Sequence, residues 1–204
     1  LQAMADFFNA NKKHSFVLKG YAGTGKTTIV KFFADYVREN DRFKTIVYSS
    51  PTHRANTVLK RSLKGEKVMT LHKIFGLSPE MDLEDFDASK AKFVQQKDEA
   101  VPRGSILIID ESSMINKELY QFIIDSAKNK DVKIIFMGDP AQLRPVKEDG
   151  LSKVFTSETS GYELTKVERT GDNPLLAEVT NIRNSKEVEP MSLVSKQNDA
   201  EEGV

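Results

Sequence analysis

The chain has 204 residues, and its 30 basic and 30 acidic side chains give a formal net charge of zero. Folding of a chain this long buries roughly 70% of its extended surface, so a core forms without disulfides or structural metal. The absence of cysteine excludes disulfides, thiolate zinc sites and cysteine nucleophiles. No apolar run reaches the roughly 20 residues of a membrane span. The first residues also lack the apolar segment of a signal peptide, so we expect a cytoplasmic protein without membrane contact.

Four short apolar runs predict strands that are buried on both faces, as in a parallel sheet. They cover residues 16–18, 45–48, 106–109 and 134–137. Apolar residues at helical spacing separate these runs, and Asn173 followed by Pro174 predicts the start of a further helix. This alternation predicts an α/β fold, a doubly wound parallel sheet with helices on both faces.

One acidic segment, residues 77–104, interrupts the alternation. It predicts either a long disordered loop or a small inserted hairpin with Phe93 and Val94 in one strand. We therefore divide the chain into a main α/β lobe over 1–76 and 105–184, an inserted subdomain over 77–104, and a remainder over 185–204. That remainder is expected to be a polar tail or the start of a second lobe. Basic residues outnumber acidic ones in the first third, which weakly favours a nucleic-acid partner.

Residues 20–27, GYAGTGKT, match the phosphate-loop pattern G-x-x-x-x-G-K-[ST]. They follow a predicted strand and precede a predicted helix, which is the context the motif requires. The glycines let backbone N–H groups surround phosphates, and the helix directs its positive end at the same anion. Lys26 is predicted to reach the β- and γ-phosphates, and Thr27 to bind Mg²⁺. The predicted nucleotide-binding residues of this segment are Gly20, Ala22, Gly23, Thr24, Gly25, Lys26, Thr27 and Thr28.

Two carboxylates, Asp110 and Glu111, follow the predicted strand at 106–109. An open α/β sheet binds its ligands at the carboxyl ends of the strands. Asp110 is therefore predicted to hold Mg²⁺, directly or through water, and Glu111 to polarise the attacking water. The pair favours hydrolysis of a nucleoside triphosphate over transfer to another molecule.

Several further motifs resemble those of a superfamily one DNA helicase of the RecD/Dda-like group, which moves 5′ to 3′ on DNA. The resemblance covers about residues 2–184 and lies in the N-terminal RecA-like lobe of that group. The segments that carry it are SPTHRA at 50–55, TLH at 70–72 with FG at 75–76, IIDESSM at 108–114, GDPAQLRPV at 138–146 and LTKVER at 164–169.

This resemblance implies an ATP-dependent DNA helicase that uses Mg²⁺ and acts on single-stranded DNA and duplex junctions. By the same resemblance, Gln142 reads the γ-phosphate, Arg169 reaches it, and Gln2 recognises adenine. The 77–104 segment would form a strand-separating pin. A second RecA-like lobe would supply an arginine finger, and without it we expect weak nucleotide binding and slow hydrolysis.

The DNA-binding residues are predicted at the loops after the second and third strands, on the same sheet edge as the phosphate loop. Hydroxyls and imidazoles there suit sequence-independent contacts to backbone phosphates. The histidines could instead cap helices or lie in the core, and Arg54 could belong to a solvated helix face. The predicted DNA-binding residues are Pro51, Thr52, His53, Arg54, Thr70 and His72.

Two other functions remain open from the sequence: another P-loop NTPase and a nucleotide-dependent DNA-binding module. A guanine-reading N-K-x-D is absent, because Asn129, Lys130 and Asp131 are not followed by an Asp in fourth place. No arginine-rich lid of a small-molecule kinase is evident. The intact Lys26 and Glu111 argue against a degenerate site that only binds.

Overall fold

The computed structural model describes residues 1–11, 13–77, 81–84, 86–87, 101–145, 148–157 and 160–165. All of them belong to one compact unit, Leu1–Arg169. Their helices are α1 (Gln2–Asn9), α2 (Lys26–Asn40), α3 (His53–Ser62), α4 (Leu71–Phe75), α5 (Lys117–Asn129) and α6 (Lys153–Thr156). Their strands are β1 (Ser15–Gly20), β2 (Ile46–Ser49), β3 (Ile106–Ile109), β4 (Lys133–Gly138) and β5 (Ser160–Leu164), and a short 3₁₀ helix spans Ser112–Met114.

The five strands form one parallel sheet in the order β2-β3-β4-β1-β5. The carboxyl ends of β3, β4 and β1 therefore lie side by side at one edge. The predicted α/β fold with a parallel sheet is confirmed, including the four strands placed from apolar runs. The fifth strand, β5, was not predicted, because its sequence SGYEL has no apolar run and its central residues are exposed.

Neighbouring residues along each strand contribute to cores on opposite faces of the sheet, as strand geometry requires. Phe16 and Leu18 of β1 pack with α1, α2 and α3. Val17, between them, belongs to the opposite core, which includes residues of α4, α5 and α6. Both faces are thus covered by helices, and the prediction of doubly buried strands is confirmed.

The described parts of the 77–104 insert contribute to the second of these cores. Leu83, Phe86 and Val101 are buried with residues of α4 and α5. The predicted hairpin strand at Phe93 and Val94 lies outside the described residues, as do the helix predicted after Asn173 and the tail at 185–204. None of the described helices combines the length and apolar character needed to cross a membrane.

Candidate functional site

The phosphate loop joins β1 to α2 and leaves the helix N-terminus open. Gly23 and Gly25 have φ angles of 82° and 84°, a left-handed conformation that glycine adopts without a Cβ penalty. Gly25 is also the N-cap of α2, and no side chain caps that end. The first N–H groups of α2 therefore keep their capacity to bind an anion, to which the helix end adds positive potential.

Lys26 lies across this loop. Its Nζ donates hydrogen bonds to the carbonyl oxygens of Gly20 at 2.6 Å and Tyr21 at 3.0 Å. The Thr24 hydroxyl closes the same turn by donating to the Tyr21 carbonyl at 2.8 Å. A Cβ at Gly20 would come within 2.6 Å of Thr24 Oγ1, so a larger residue there would displace the Thr24 side chain or the turn. The predicted cation is thus held at the phosphate loop.

Asp110 and Glu111 follow β3, as predicted. Asp110 Oδ1 accepts a hydrogen bond from the backbone N–H of Glu111 at 2.9 Å. Glu111 itself has φ 54° and ψ 38°, a left-handed conformation that is uncommon for a residue with a Cβ. The 3₁₀ helix Ser112–Met114 begins directly after it. The chain accepts this local backbone strain where a catalytic carboxylate is predicted.

The same two carboxylates are harder to ionise than free ones. Burial raises the pKa of Asp110, against the opposing effects of the Glu111 backbone hydrogen bond and the Lys26 charge. Burial also raises the pKa of Glu111, and the negative charges of Asp110 and Asp139 raise it further while Lys26 lowers it. Glu111 is therefore a stronger base than an ordinary glutamate once it is ionised.

Gln142 is positioned by a turn at the end of β4. Asp139, which is fully buried, accepts the Ala141 N–H at its Oδ1 (2.9 Å) and the Gln142 N–H at its carbonyl oxygen (3.1 Å). Gly138, directly before this turn, leaves room for the ring of Phe155, because a Cβ there would lie 2.8 Å from Phe155 Cζ. Asp139 lies within the GDPAQ segment, but no role for it was predicted from the sequence. Its role as an anchor of the turn depends on the burial that the fold provides.

Two adjoining cavities bring these residues together. The first, of about 450 Å³, contains most of the predicted nucleotide-binding residues and the predicted catalytic residues Glu111 and Gln142. The second, of about 550 Å³, shares Asp110, Glu111 and Gln142 with the first and extends to Thr52 and Arg54. Residues of the phosphate loop therefore line one cavity, and Thr52 and Arg54 of the predicted DNA edge line the adjoining one. The first cavity is lined by Ala22, Gly23, Gly25, Lys26, Thr27, Thr28, Val58, Leu59, Ser62, Asp110, Glu111, Gly138, Asp139 and Gln142.

Thr27 and Asp110, the predicted magnesium ligands, both line the first cavity. Their hydroxyl and carboxylate oxygens are ligands of the hard kind that Mg²⁺ prefers. Within the described ranges, no group of three or more His, Cys, Asp or Glu side chains is placed to hold a metal. Mg²⁺ usually binds through one or two carboxylates together with substrate phosphates, which is the arrangement that Thr27, Asp110 and a bound nucleotide would provide.

The predicted DNA-binding residues occupy the N-termini of α3 and α4. Thr52 and Thr70 are the N-caps of these helices, and their hydroxyl oxygens accept the backbone N–H of Ala55 at 3.1 Å and of Lys73 at 3.3 Å. Each hydroxyl keeps its own proton for donation to another acceptor. The other four residues differ in exposure: His53 and Arg54 are exposed, whereas Pro51 and His72 are buried.

Some residues lie outside this assembly. Gln2 is the first residue of α1, where its Nε2 donates to Asp6 Oδ1 at 2.8 Å, and it does not line either cavity. Arg169 lies outside the described residues. Sequence reasoning missed Tyr162 of β5, which lines a further cavity of about 400 Å³ beside the phosphate loop with Thr24, Gly25 and Thr28. Nothing in the sequence indicated Tyr162, because β5 has no apolar run that would predict a strand.

Comparison with known proteins agrees with this geometry. A family model described as an AAA domain matches residues 2–203. The ATP-dependent DNA helicase dda of Enterobacteria phage T4 is 31% identical over 181 residues, which cover 86% of this chain and 39% of the helicase. The RecBCD enzyme subunit RecD of Buchnera aphidicola is 32% identical over 166 residues, which cover 72% of this chain and 26% of RecD.

Among solved structures, the Pif1 helicase from Candida albicans resembles this fold with a TM-score of 0.57 and 21% identity, over 83% of this chain and 40% of that one. The resemblance to the RecD/Dda-like group and the RecA-like fold are thereby confirmed. The chain spans about two fifths or less of the length of the curated relatives it matches.

Proposed function

The chain belongs to the AAA domain family, and on that premise we propose that it is the ATP-binding lobe of an ATP-dependent DNA helicase. The observation that carries this proposal is the pair of adjoining cavities. Asp110, Glu111 and Gln142 border both the phosphate-loop cavity and the cavity that extends to Thr52 and Arg54. A γ-phosphate and a DNA backbone would therefore meet the same few side chains.

ATP is the proposed nucleotide, with its phosphates on the N–H groups of the loop and of α2. Lys26, now on the carbonyl oxygens of Gly20 and Tyr21, exchanges these acceptors for the β- and γ-phosphates. Thr27 and Asp110 are the residues that would hold Mg²⁺, which would neutralise phosphate charge when bound. Lys26 would keep its hydrogen bonds in this exchange, because phosphate oxygens replace the two carbonyl oxygens as acceptors.

Hydrolysis in this proposal uses Glu111 as the base that orients and deprotonates the attacking water. Its raised pKa improves its strength as a base, provided that the pH keeps it ionised. Gln142, on the turn fixed by Asp139, senses the γ-phosphate. Arg169 is proposed, from the family resemblance alone, to contact the same phosphate.

Single-stranded DNA is the proposed partner at the edge formed by the N-termini of α3 and α4. Loss of the γ-phosphate changes the contacts of Glu111 and Gln142. Because both side chains also line the second cavity, the surroundings of Thr52 and Arg54 change with them. Unwinding at duplex junctions further requires the 77–104 insert as a pin and a second RecA-like lobe that donates an arginine to the γ-phosphate. Repeated closure of the two lobes would move the protein along one strand.

The test is steady-state ATP hydrolysis by the proposed two-lobe protein that contains this lobe, with and without poly(dT), alongside Lys26→Ala. We expect strong stimulation by DNA, and we expect the variant to lose hydrolysis under both conditions. Hydrolysis that is abolished by Lys26→Ala but indifferent to DNA would favour another P-loop NTPase. DNA binding that depends on ATP without any hydrolysis would favour a nucleotide-dependent binding module.

A further inference from the structure

We propose that His72 is a positioning residue, which holds the imidazole of His53 in place and links it to the base of the 77–104 insert. The insert base is defined here as residues 81–84 and 86–87. The inference rests on the proposed function, because it takes His53 as a DNA contact. Both histidines were predicted from the sequence to bind DNA, but they have different roles in this proposal.

Burial separates the two side chains. His53 is the first residue of α3 and is exposed, whereas His72 in α4 retains 8% of its accessible surface. Their rings are nearly parallel, with 5.8 Å between centroids and 12° between planes. His72 thus provides a flat surface against which His53 is oriented, and orienting a contact group in advance lowers the entropy lost on binding.

A hydrogen bond already occupies the polar edge of His72. Its Nε2 lies 2.6 Å from the carbonyl oxygen of Met81. Because a carbonyl oxygen only accepts, Nε2 carries the proton and donates it to Met81. A ring that is buried and engaged in this way is poorly placed to bind a DNA phosphate itself, and loss of its N–H would leave the carbonyl without this donor.

The insert base is in turn fastened to the core. Leu83 and Phe86 are buried in it, and Asn116 Nδ2 donates to the Phe86 carbonyl oxygen at 3.1 Å. Asn116 is also the N-cap of α5, because its Oδ1 accepts the Leu119 N–H at 2.8 Å. His72 therefore lies between an anchored segment and the exposed ring of His53, and any effect of His72 on DNA passes through His53.

A double-mutant cycle on binding of labelled oligo(dT) tests this inference, with His53→Ala and His72→Gln made singly and together. Glutamine keeps an N–H donor for Met81 but removes the ring. We expect His53→Ala to weaken binding about tenfold, within the range for losing one nucleic-acid contact. We expect His72→Gln to weaken binding about threefold or more alone, and to add almost nothing in the His53→Ala background, since coupled residues are not additive.

Additive losses in the cycle would overturn the positioning role while leaving the proposed DNA edge intact. Unchanged binding by His53→Ala would overturn both the inference and the assigned DNA edge. A second variant, His72→Phe, keeps an aromatic ring but loses the donor to Met81. We expect it to bind oligo(dT) less tightly than the original protein and more tightly than His72→Gln. A loss as large as that of His72→Gln, in a protein that melts cooperatively, would also overturn the inference.

The matched control pairs His72→Gln with Lys60→Ala, an exposed residue in the last turn of α3. These two substitutions are expected to be additive, because they share no contact. Coupling of His72→Gln to Lys60→Ala as strong as its coupling to His53→Ala would indicate a general disturbance of α3, and would overturn the specific link between the rings.

Discussion

Asp110 fixes the backbone of its neighbour Glu111 through the hydrogen bond from the Glu111 N–H to Asp110 Oδ1 at 2.9 Å. Glu111 itself adopts the left-handed conformation, with a φ angle of 54°. The backbone of the proposed base is therefore set by the residue proposed to hold Mg²⁺. A substitution at either carboxylate therefore alters both the position and the charge environment of the other.

Glu111→Gln is expected to lower the DNA-stimulated rate of ATP hydrolysis by about 10²- to 10⁴-fold, the usual contribution of a general base. Glutamine keeps the shape of the side chain and the backbone contact with Asp110, so ATP binding should survive. Hydrolysis rates and binding of a fluorescent ATP analogue measure the two effects separately. Glu39→Gln, on the exposed end of α2, is the control and should hydrolyse ATP normally. A Glu111→Gln rate within tenfold of the original would argue against Glu111 as the base.

The pH dependence of hydrolysis should reflect the ionisation of Glu111. Burial and the charges of Asp110 and Asp139 raise the pKa of this residue, and the base must be ionised to act. The acid limb of the kcat profile should therefore fall at a higher pH than an unperturbed glutamate would give. Measuring kcat at saturating ATP and poly(dT) across this range tests it. An acid limb at or below the ordinary glutamate pKa would contradict the assignment.

Asp110→Asn is expected to raise the Tm of the protein by a few degrees at neutral pH, without nucleotide or magnesium. Burial raises the pKa of Asp110, so the folded state binds more protons than the unfolded chain between the two pKa values. The free energy of unfolding therefore decreases as the pH rises through that interval. Asparagine is uncharged, so it removes the free-energy cost of ionising a buried carboxylate. Its side-chain carbonyl can still accept the hydrogen bond from the Glu111 N–H.

The gain in Tm from Asp110→Asn should shrink as the pH falls below the ordinary aspartate value, where both states of the original protein are protonated. Melting curves of the two proteins from acidic to neutral pH provide the comparison. A gain that is equal at all pH values would indicate improved packing rather than relief of a buried charge. The same variant should hydrolyse ATP poorly, because a proposed magnesium ligand is lost.

Thr52→Ala is expected to destabilise the protein by about 1 kcal/mol, the usual cost of losing an N-cap. Its Oγ1 accepts the Ala55 N–H at the start of α3, and under the proposed function its proton is donated to a DNA phosphate. The alanine variant should therefore also bind oligo(dT) more weakly. Thermal melting and a binding titration measure the two losses. Thr52→Ser keeps the hydroxyl and should retain both properties.

A serine variant that binds as weakly as the alanine variant would show that the threonine methyl, rather than the hydroxyl, matters at this position. An alanine variant that is less stable but binds DNA normally would reduce Thr52 to a structural cap. Either result would remove this hydroxyl from the DNA edge and leave the nucleotide site untouched.

The phosphate loop and the acidic pair were predictable because each signal is contained in one short segment. Residues 20–27 carry the entire loop motif, and Asp110 directly follows the apolar strand 106–109. The different environments of His53 and His72 were not predictable. They depend on Met81 and the insert base, whose positions follow from tertiary packing rather than from any local pattern. The strand β5 was missed for a related reason, since an edge strand needs no apolar run.

The strand order has a consequence for synthesis of the chain. The strand before the phosphate loop, β1, lies between β4 and β5, so that Ser15 pairs with Ile134 and Phe16 with Ser160. Pairing between such distant segments is slow, and it cannot start until the later strand has left the ribosome. A nascent chain that stops before β4 thus carries the full phosphate-loop sequence but lacks both strands that flank β1. Nucleotide can therefore stabilise this lobe only after β4 and β5 have been synthesised.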